Sequence, residues 1–444
     1  MNEASKINLF KGHPSYRLLP RKEISIATCQ LLSEEARPYD DDTTNRHPLT
    51  YGSDEGALWV RQEVCNMINQ IGSDINSKPE YINLTSGASY GILNILLQTT
   101  LPHTGYTKQA FIVSPTYFLI NDCFIDAGFG SKMTAIKEKG YTSIDLEYLK
   151  EKLEYFEQEI PDVPQNSTDI IQNKNNLQKK IYKYVFYCIP TFSNPSGITW
   201  DYETRIQLIK IAKKYDMLII CDDVYDLLDY NFDSNATSNV APRLVHLDRM
   251  LSNEQIYESN FYGNTISNAS FSKLVAPGLR IGYHETANKM LVGQVSKGGA
   301  NISGGTPSQL NSMIIGTLLK NKEIYKIISN FRTVYKIRGD ALYNSSQKFL
   351  PKNTKFQHIE GGYFAWVVLP EGYNAQVIGQ MLKNKYSVIV ANGSTCEVVG
   401  DLKGWGERCI RLSISFLEKE AIEQGIQYLG MICKEYAVER NLEF

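Results

Sequence analysis

Lys273 lies in Ser270-Phe271-Ser272-Lys273-Leu274-Val275-Ala276-Pro277-Gly278-Leu279-Arg280-Ile281-Gly282, which sets one amine between hydroxyls and a guanidinium in a turn shaped by proline and glycine. A lysine forms an imine with a carbonyl when partial burial and a neighbouring positive charge lower its pKa. Serine and arginine are phosphate ligands. The segment therefore suits an aldehyde that carries a phosphate. A bare Ser-x-Ser-Lys is usually a solvated surface feature, so the reading rests on the whole segment.

Three other segments could serve such chemistry. Thr85-Ser86-Gly87-Ala88-Ser89-Tyr90-Gly91 reads as a strand feeding a helix, whose N-terminal N–H groups and dipole favour an anion; alone it would be a serine-capped turn. Asp222 and Asp223 follow the buried run Met217 to Cys221. That places them at the carboxyl end of a strand, where open α/β sheets bind ligands, although both could merely cap a loop. Arg411, in Ile410-Arg411-Leu412-Ser413-Ile414-Ser415-Phe416, has the planar fork that grips a carboxylate, with Arg408 as its rival.

Short β-rich apolar runs alternating with helical patterns must position these residues, the signature of βαβ units and a mainly parallel sheet. Asn83 to Thr85, Phe111 to Ser114 (stopped by Pro115), Ile181 to Ile189 and Met217 to Cys221 read as strands. Leu208, Ile211, Ala212 and Tyr215 mark one helix face, and Ile422, Ile426, Leu429 and Cys433 mark a terminal amphipathic helix. The polar stretch 165–180 reads as an inserted surface loop or exposed helix, and 229–264 lacks clean periodicity.

The lysine segment resembles the Schiff-base segment of class I/II aminotransferases, pyridoxal 5′-phosphate (PLP) enzymes of fold type I, with Lys273, Ser270, Ser272 and Arg280 at matching positions. The resemblance implies an α/β fold: a large domain with a mainly parallel central sheet flanked by helices, plus a smaller α+β domain. It implies phosphate contacts at Ala88 and Ser89, where relatives often carry serine and glutamine. Asp222, three residues before Tyr225 as in the family, would keep the pyridine nitrogen protonated, so that the ring can draw electrons. Tyr225 and Asn194, the latter in Pro190-Thr191-Phe192-Ser193-Asn194-Pro195-Ser196-Gly197, would bond the phenolic oxygen. Tyr117 would stack on the ring and Arg411 would hold the substrate carboxylate, assisted by Asn194.

Ile7 to Pro20 resembles the front segment of 2-aminoadipate and kynurenine aminotransferases, with Gly12 lining the substrate pocket, while Lys11 and His13 depart from the commoner Gly-Gly-Leu. Tyr51, in Leu49-Thr50-Tyr51-Gly52, resembles the tyrosine that reaches the neighbouring subunit's phosphate, which implies a homodimer. Glu360 to Trp366 resembles the strand edging the pocket. The expected domains are an N-terminal segment 1–48 serving the small domain and substrate access, a large PLP-binding domain 49–320, and a small domain 321–444.

A chain of 444 residues exceeds a single core, and 46 basic against 48 acidic residues argue against nucleic acid or an anionic membrane as main partner. The eight cysteines lack any C-x-x-C pair and read as reduced thiols; the six histidines lack zinc-ligand spacing, so no metal is expected. The N-terminus has no apolar core of a signal sequence, so the cytoplasm is the expected location. The expected reaction moves an amino group from 2-aminoadipate, kynurenine, an aromatic or another large amino acid to a 2-oxoacid such as 2-oxoglutarate. The rivals are a PLP-dependent lyase and a non-catalytic aminotransferase-like regulator; against the latter, the family-like segment starts at Ile7 and leaves no room for a DNA reader.

Overall fold

The computed structural model describes residues 6–33, 41–70, 76–163, 179–232, 241–258 and 260–444. Most of the polar 165–180 stretch, and part of 229–264, lie outside them. The strands are β1 (Ile7–Asn8), β2 (Ile82–Thr85), β3 (Gln109–Ser114), β4 (Met133–Lys139), β5 (Ser143–Ile144), β6 (Tyr184–Cys188) and β7 (Met217–Asp223). They continue with β8 (Thr265–Ser270), β9 (Gly282–Thr286), β10 (Phe364–Val368), β11 (Val388–Ile389), β12 (Ala391–Asn392) and β13 (Cys409–Ser413).

Eight strands form one sheet in the order β2-β9-β8-β7-β6-β3-β4-β5. The neighbours from β8 through β4 are parallel, while β9 runs antiparallel to both its partners and β5 to β4. β3, β6 and β7 are buried along their whole length, as strands covered on both faces must be. The expected Ile181–Ile189 strand is trimmed to β6, and β7 runs two residues past Cys221, so Asp222 and Asp223 are strand residues rather than loop caps.

Helices cover both faces. On one side Leu208, Ile211 and Ala212 of the helix Tyr202–Lys214 pack into a cluster with Phe186 and Ile219. That helix starts where the Asp201 carboxylate accepts the Thr204 N–H at 2.8 Å. Beyond the large sheet, β10, β12 and β13 form a three-stranded antiparallel sheet, and β1 pairs with β11. The terminal helix Lys419–Arg440 buries Ile422, Ile426, Leu429 and Cys433, the spacing its sequence shows. No helix among the described residues is long and apolar enough to cross a membrane, and all eight cysteines are free.

Candidate active site

From β3 the chain builds out to β4 on one side, and later from β6 to β7 and β8 on the other, so the carboxyl edges of β3 and β6 flank a topological switch point. A cavity of about 260 Å³ opens there. Tyr117 reaches it just beyond β3, Asn194 beyond β6, Asp222 from the end of β7, and Lys273 three residues beyond β8. Gly12, Ala88, Ser89, Tyr225, Ser270, Ser272, Arg280 and Arg411 complete the expected set in the wall. Tyr51 does not line the cavity and is 74% exposed, its ring beside Gly304.

Strand alternation separates the two adjacent acids. Asp222 faces the cavity, where Asn268, its register partner on β8, donates to one carboxylate oxygen at 2.9 Å and the Tyr187 hydroxyl to the other at 3.0 Å. Burial pushes its pKa up to about 6, held back by those two hydrogen bonds and by the charge of Lys273. Asp223 bonds the Ser267 hydroxyl and lies 4.0 Å from the Arg243 guanidinium on the other face.

Lys273 reaches the cavity from the turn after β8 and donates to the Gly12 carbonyl at 2.9 Å. The Tyr363 hydroxyl fixes its backbone carbonyl at 3.0 Å. Desolvation lowers the amine's pKa to about 8; Asp222 opposes the shift, and Arg411 and Arg280 add to it. The front segment thus supplies an acceptor to the amine, which its sequence did not announce.

At one end of the cavity, Gly87 precedes the helix Ala88–Thr99 at φ +89°, and no side chain caps the helix's first turn. A Cβ on Gly87 would come within 2.9 Å of an Arg280 guanidinium nitrogen, so only glycine lets the turn and the arginine approach. The Ser270 hydroxyl accepts the Ser272 N–H at 3.1 Å, which places both hydroxyls beside that turn. An uncapped helix start, two hydroxyls and a guanidinium fit a phosphate. The lysine and the buried acid farther along suit the rest of a phosphorylated pyridine aldehyde.

At the other end, Arg411 of β13 donates to the Asn194 side-chain oxygen at 3.1 Å and to the Phe10 carbonyl at 2.9 Å. Its Nε is buried without a partner. Its guanidinium lies 4.4, 5.2 and 5.7 Å from the ring centres of Phe364, Phe10 and Phe118. The rival Arg408 donates to the Leu369 carbonyl and stays outside this cavity. Burial raises the Tyr225 hydroxyl's pKa, and a hydrogen bond with Asn194 opposes that rise.

Sequence reading did not single out Phe10 and Phe118 as wall residues, or Tyr187 and Asn268 as the partners of Asp222. Asn268 left a signal, a lone amide in a buried strand two residues before Ser270, and period-2 alternation puts both on one face. Tyr187 left none. Among the described residues no group of three or more His, Cys, Asp or Glu side chains could hold a metal ion.

A lysine and a carboxylate at the switch point, between a phosphate cup and a caged arginine, define a PLP-type transferase site. The family model for aminotransferase class I and II matches residues 28–429. The chain is 55% identical over 443 residues to the uncharacterized protein YER152C of Saccharomyces cerevisiae, covering 98% of this chain and 99% of that one. It is 30% identical over 254 residues to aromatic-amino-acid aminotransferase 1 of Thermococcus litoralis, covering 56% of this chain and 54% of that one. The fold matches the multiple substrate aminotransferase of Thermococcus profundus with a TM-score of 0.76 at 22% identity, over 99% of this chain and 93% of that one. The chain belongs to the class I and II aminotransferase family and is a PLP-dependent aminotransferase.

Proposed function

We propose that the chain transfers the amino group of an amino acid with a large apolar or aromatic side chain to a 2-oxoacid such as 2-oxoglutarate. The observation that carries this reading is the set of phenylalanine rings, Phe10, Phe118 and Phe364, around the one cation at the substrate end of the cavity. Arg411 takes the α-carboxylate through two parallel hydrogen bonds, which its free Nε and the exchangeable Phe10 carbonyl make available. These rings offer an apolar contact to an aromatic donor side chain, which favours such a donor over 2-aminoadipate. The name of the Thermococcus litoralis relative points the same way.

PLP, when bound, supplies an electron-withdrawing ring that makes the substrate Cα–H acidic. Ala88 and Ser89 backbone N–H groups, Ser270, Ser272 and Arg280 would hold its phosphate. Asp222 would keep the pyridine nitrogen protonated, Tyr117 would pack on the ring, and Tyr225 and Asn194 would bond the phenolic oxygen. The Lys273 amine would hold the cofactor's aldehyde end and would move the proton at the substrate Cα; a pKa of about 8 leaves it able to accept and release that proton near neutral pH. Phe10, Phe118 and Phe364 exclude water from the carboxylate end.

A donor panel assayed with PLP and 2-oxoglutarate tests the reading: phenylalanine, tyrosine, tryptophan and kynurenine should exceed 2-aminoadipate in kcat/KM. Arg411→Ala should lower kcat/KM for every donor by about 2–4 kcal/mol, the scale of losing a buried charge partner. Turnover of donors to ammonia without amino transfer would replace transamination with lyase chemistry. A preference for 2-aminoadipate would overturn the assignment of substrate class.

A further inference from the structure

A second cavity, about 570 Å³, lies beside the catalytic one and shares three of its walls. The Ser193–Gly197 turn is the partition: Asn194 faces the catalytic cavity and Ser196 the second. Gly197, at φ +74°, packs so closely on the Phe364 carbonyl that an added Cβ would stand 2.8 Å from that oxygen. The segment after β3 splits the same way, with Ser114 and Pro115 on the second cavity and Tyr117 on the first. The third wall is one face of the three-stranded sheet. Phe364 and Arg411 cover the catalytic cavity, and Trp366 and Cys409, two residues along the same strands, cover the second.

The lining is cationic and aromatic. Lys137, Lys355 and Arg408 all reach this cavity, and none ion-pairs with a carboxylate among the described residues. The Lys137 amine stands 5.0 Å from the centre of the Trp405 ring. Two acids also line the space. Glu397 is committed to the backbone N–H groups of Lys403, Gly404 and Gly406 at 2.7–3.0 Å. Glu138 bonds the Ser196 hydroxyl at 2.7 Å, and burial raises its pKa to about 8, so it adds little negative charge at neutral pH. Trp366, Trp405, Phe356 and Tyr141 offer flat apolar surface. Three cations gathered without anionic partners, beside indole rings, in a space within the usual range for small ligands, describe a receptor for an organic anion.

We propose that this second cavity binds an aromatic carboxylate that is not the reacting substrate, and that its occupancy alters turnover by moving the walls that carry Asn194, Tyr117 and Arg411. The carboxylate pairs with the free cations and the ring stacks on Trp366 or Trp405. Coupling follows because each shared wall segment places one residue in each cavity, so a shift that seats the ligand displaces a residue of the catalytic site. This inference does not depend on which amino acid the enzyme prefers.

The test uses the PLP-loaded enzyme and 2-naphthoate, an aromatic carboxylate with neither amino nor keto group. With donor and 2-oxoglutarate both at saturating concentration, 2-naphthoate should still change kcat, and 2-naphthamide, which lacks the charge, should not. Lys137→Gln/Lys355→Gln, two exposed side chains outside the catalytic site, should keep the parent kcat and KM without the probe. It should raise the concentration of 2-naphthoate needed for the effect by about 10-fold or more, as expected when charge-assisted contacts are lost. Inhibition that is purely competitive with donor and equal in parent and variant would place the probe in the catalytic cavity alone and overturn the proposal. An absence of any effect on kcat up to millimolar probe would overturn it as well.

Discussion

At the scale of single residues, the site works by placing opposite electrostatic demands on two groups of one cavity. Desolvation pushes Asp222 up and Lys273 down, and each one's charge opposes the other's shift. The amine attacks an aldehyde only when neutral. The rate of PLP capture by cofactor-free enzyme should therefore rise with pH and level off above about 8, some two units below an ordinary lysine. Stopped-flow absorbance across about pH 6–10 checks this; a rate still climbing steeply above about pH 9.5, near the range of a free lysine, would show that the amine is not desolvated. Lys273→Ala should lose the borohydride-trappable attachment of PLP altogether.

At the scale of elements, the approach of the helix Ala88–Thr99 to the sheet decides how firmly Asp222 is held. Gly91 of that helix packs against the Asn268 side chain and the His284 ring, leaving no room for a methyl group. Asn268 in turn donates both to Asp222 and to the Ala88 carbonyl at the helix start. Gly91→Ala should push Asn268 away. Helix propensity would favour the change by about 1 kcal/mol, but overpacking costs about 1–3 kcal/mol and dominates in a site this close. The expected outcome is a lower melting temperature together with a shifted absorbance maximum of bound PLP, whereas a merely structural defect would lower the first and spare the second.

At the scale of the whole molecule, Tyr51 stands apart. Tyr51 is 74% exposed and does not line its own chain's cavity, so a phosphate contact from it would have to be made in a neighbouring subunit. We predict a homodimer by sedimentation. Tyr51→Phe should weaken PLP binding by about 10- to 100-fold, since a hydrogen bond to a charged phosphate is worth about 1.5–3 kcal/mol. Unchanged PLP affinity would remove Tyr51 from the phosphate's ligands.

The chemistry was written locally, and sequence alone determined that much. A lysine between serines and an arginine, an acid at a strand's end, and a glycine opening a helix depend on residues adjacent in the chain, so motif and period-2 reasoning reach them. Strand cores such as Met217–Cys221 and the terminal helix face were legible because burial imposes a period on the sequence. What depends on register and crossing was not legible. The choices of Asp222 over Asp223 and of Arg411 over Arg408 came from family resemblance and not from local pattern, because they turn on which strand face meets the cavity, set by pairing with β8 and β10. The contacts of Lys273 with Gly12, of Asp222 with Tyr187, and of Arg411 with three phenylalanine rings join segments far apart in the chain. Only the closed fold brings them within bonding distance, because no local pattern encodes which distant surface a buried side chain will meet.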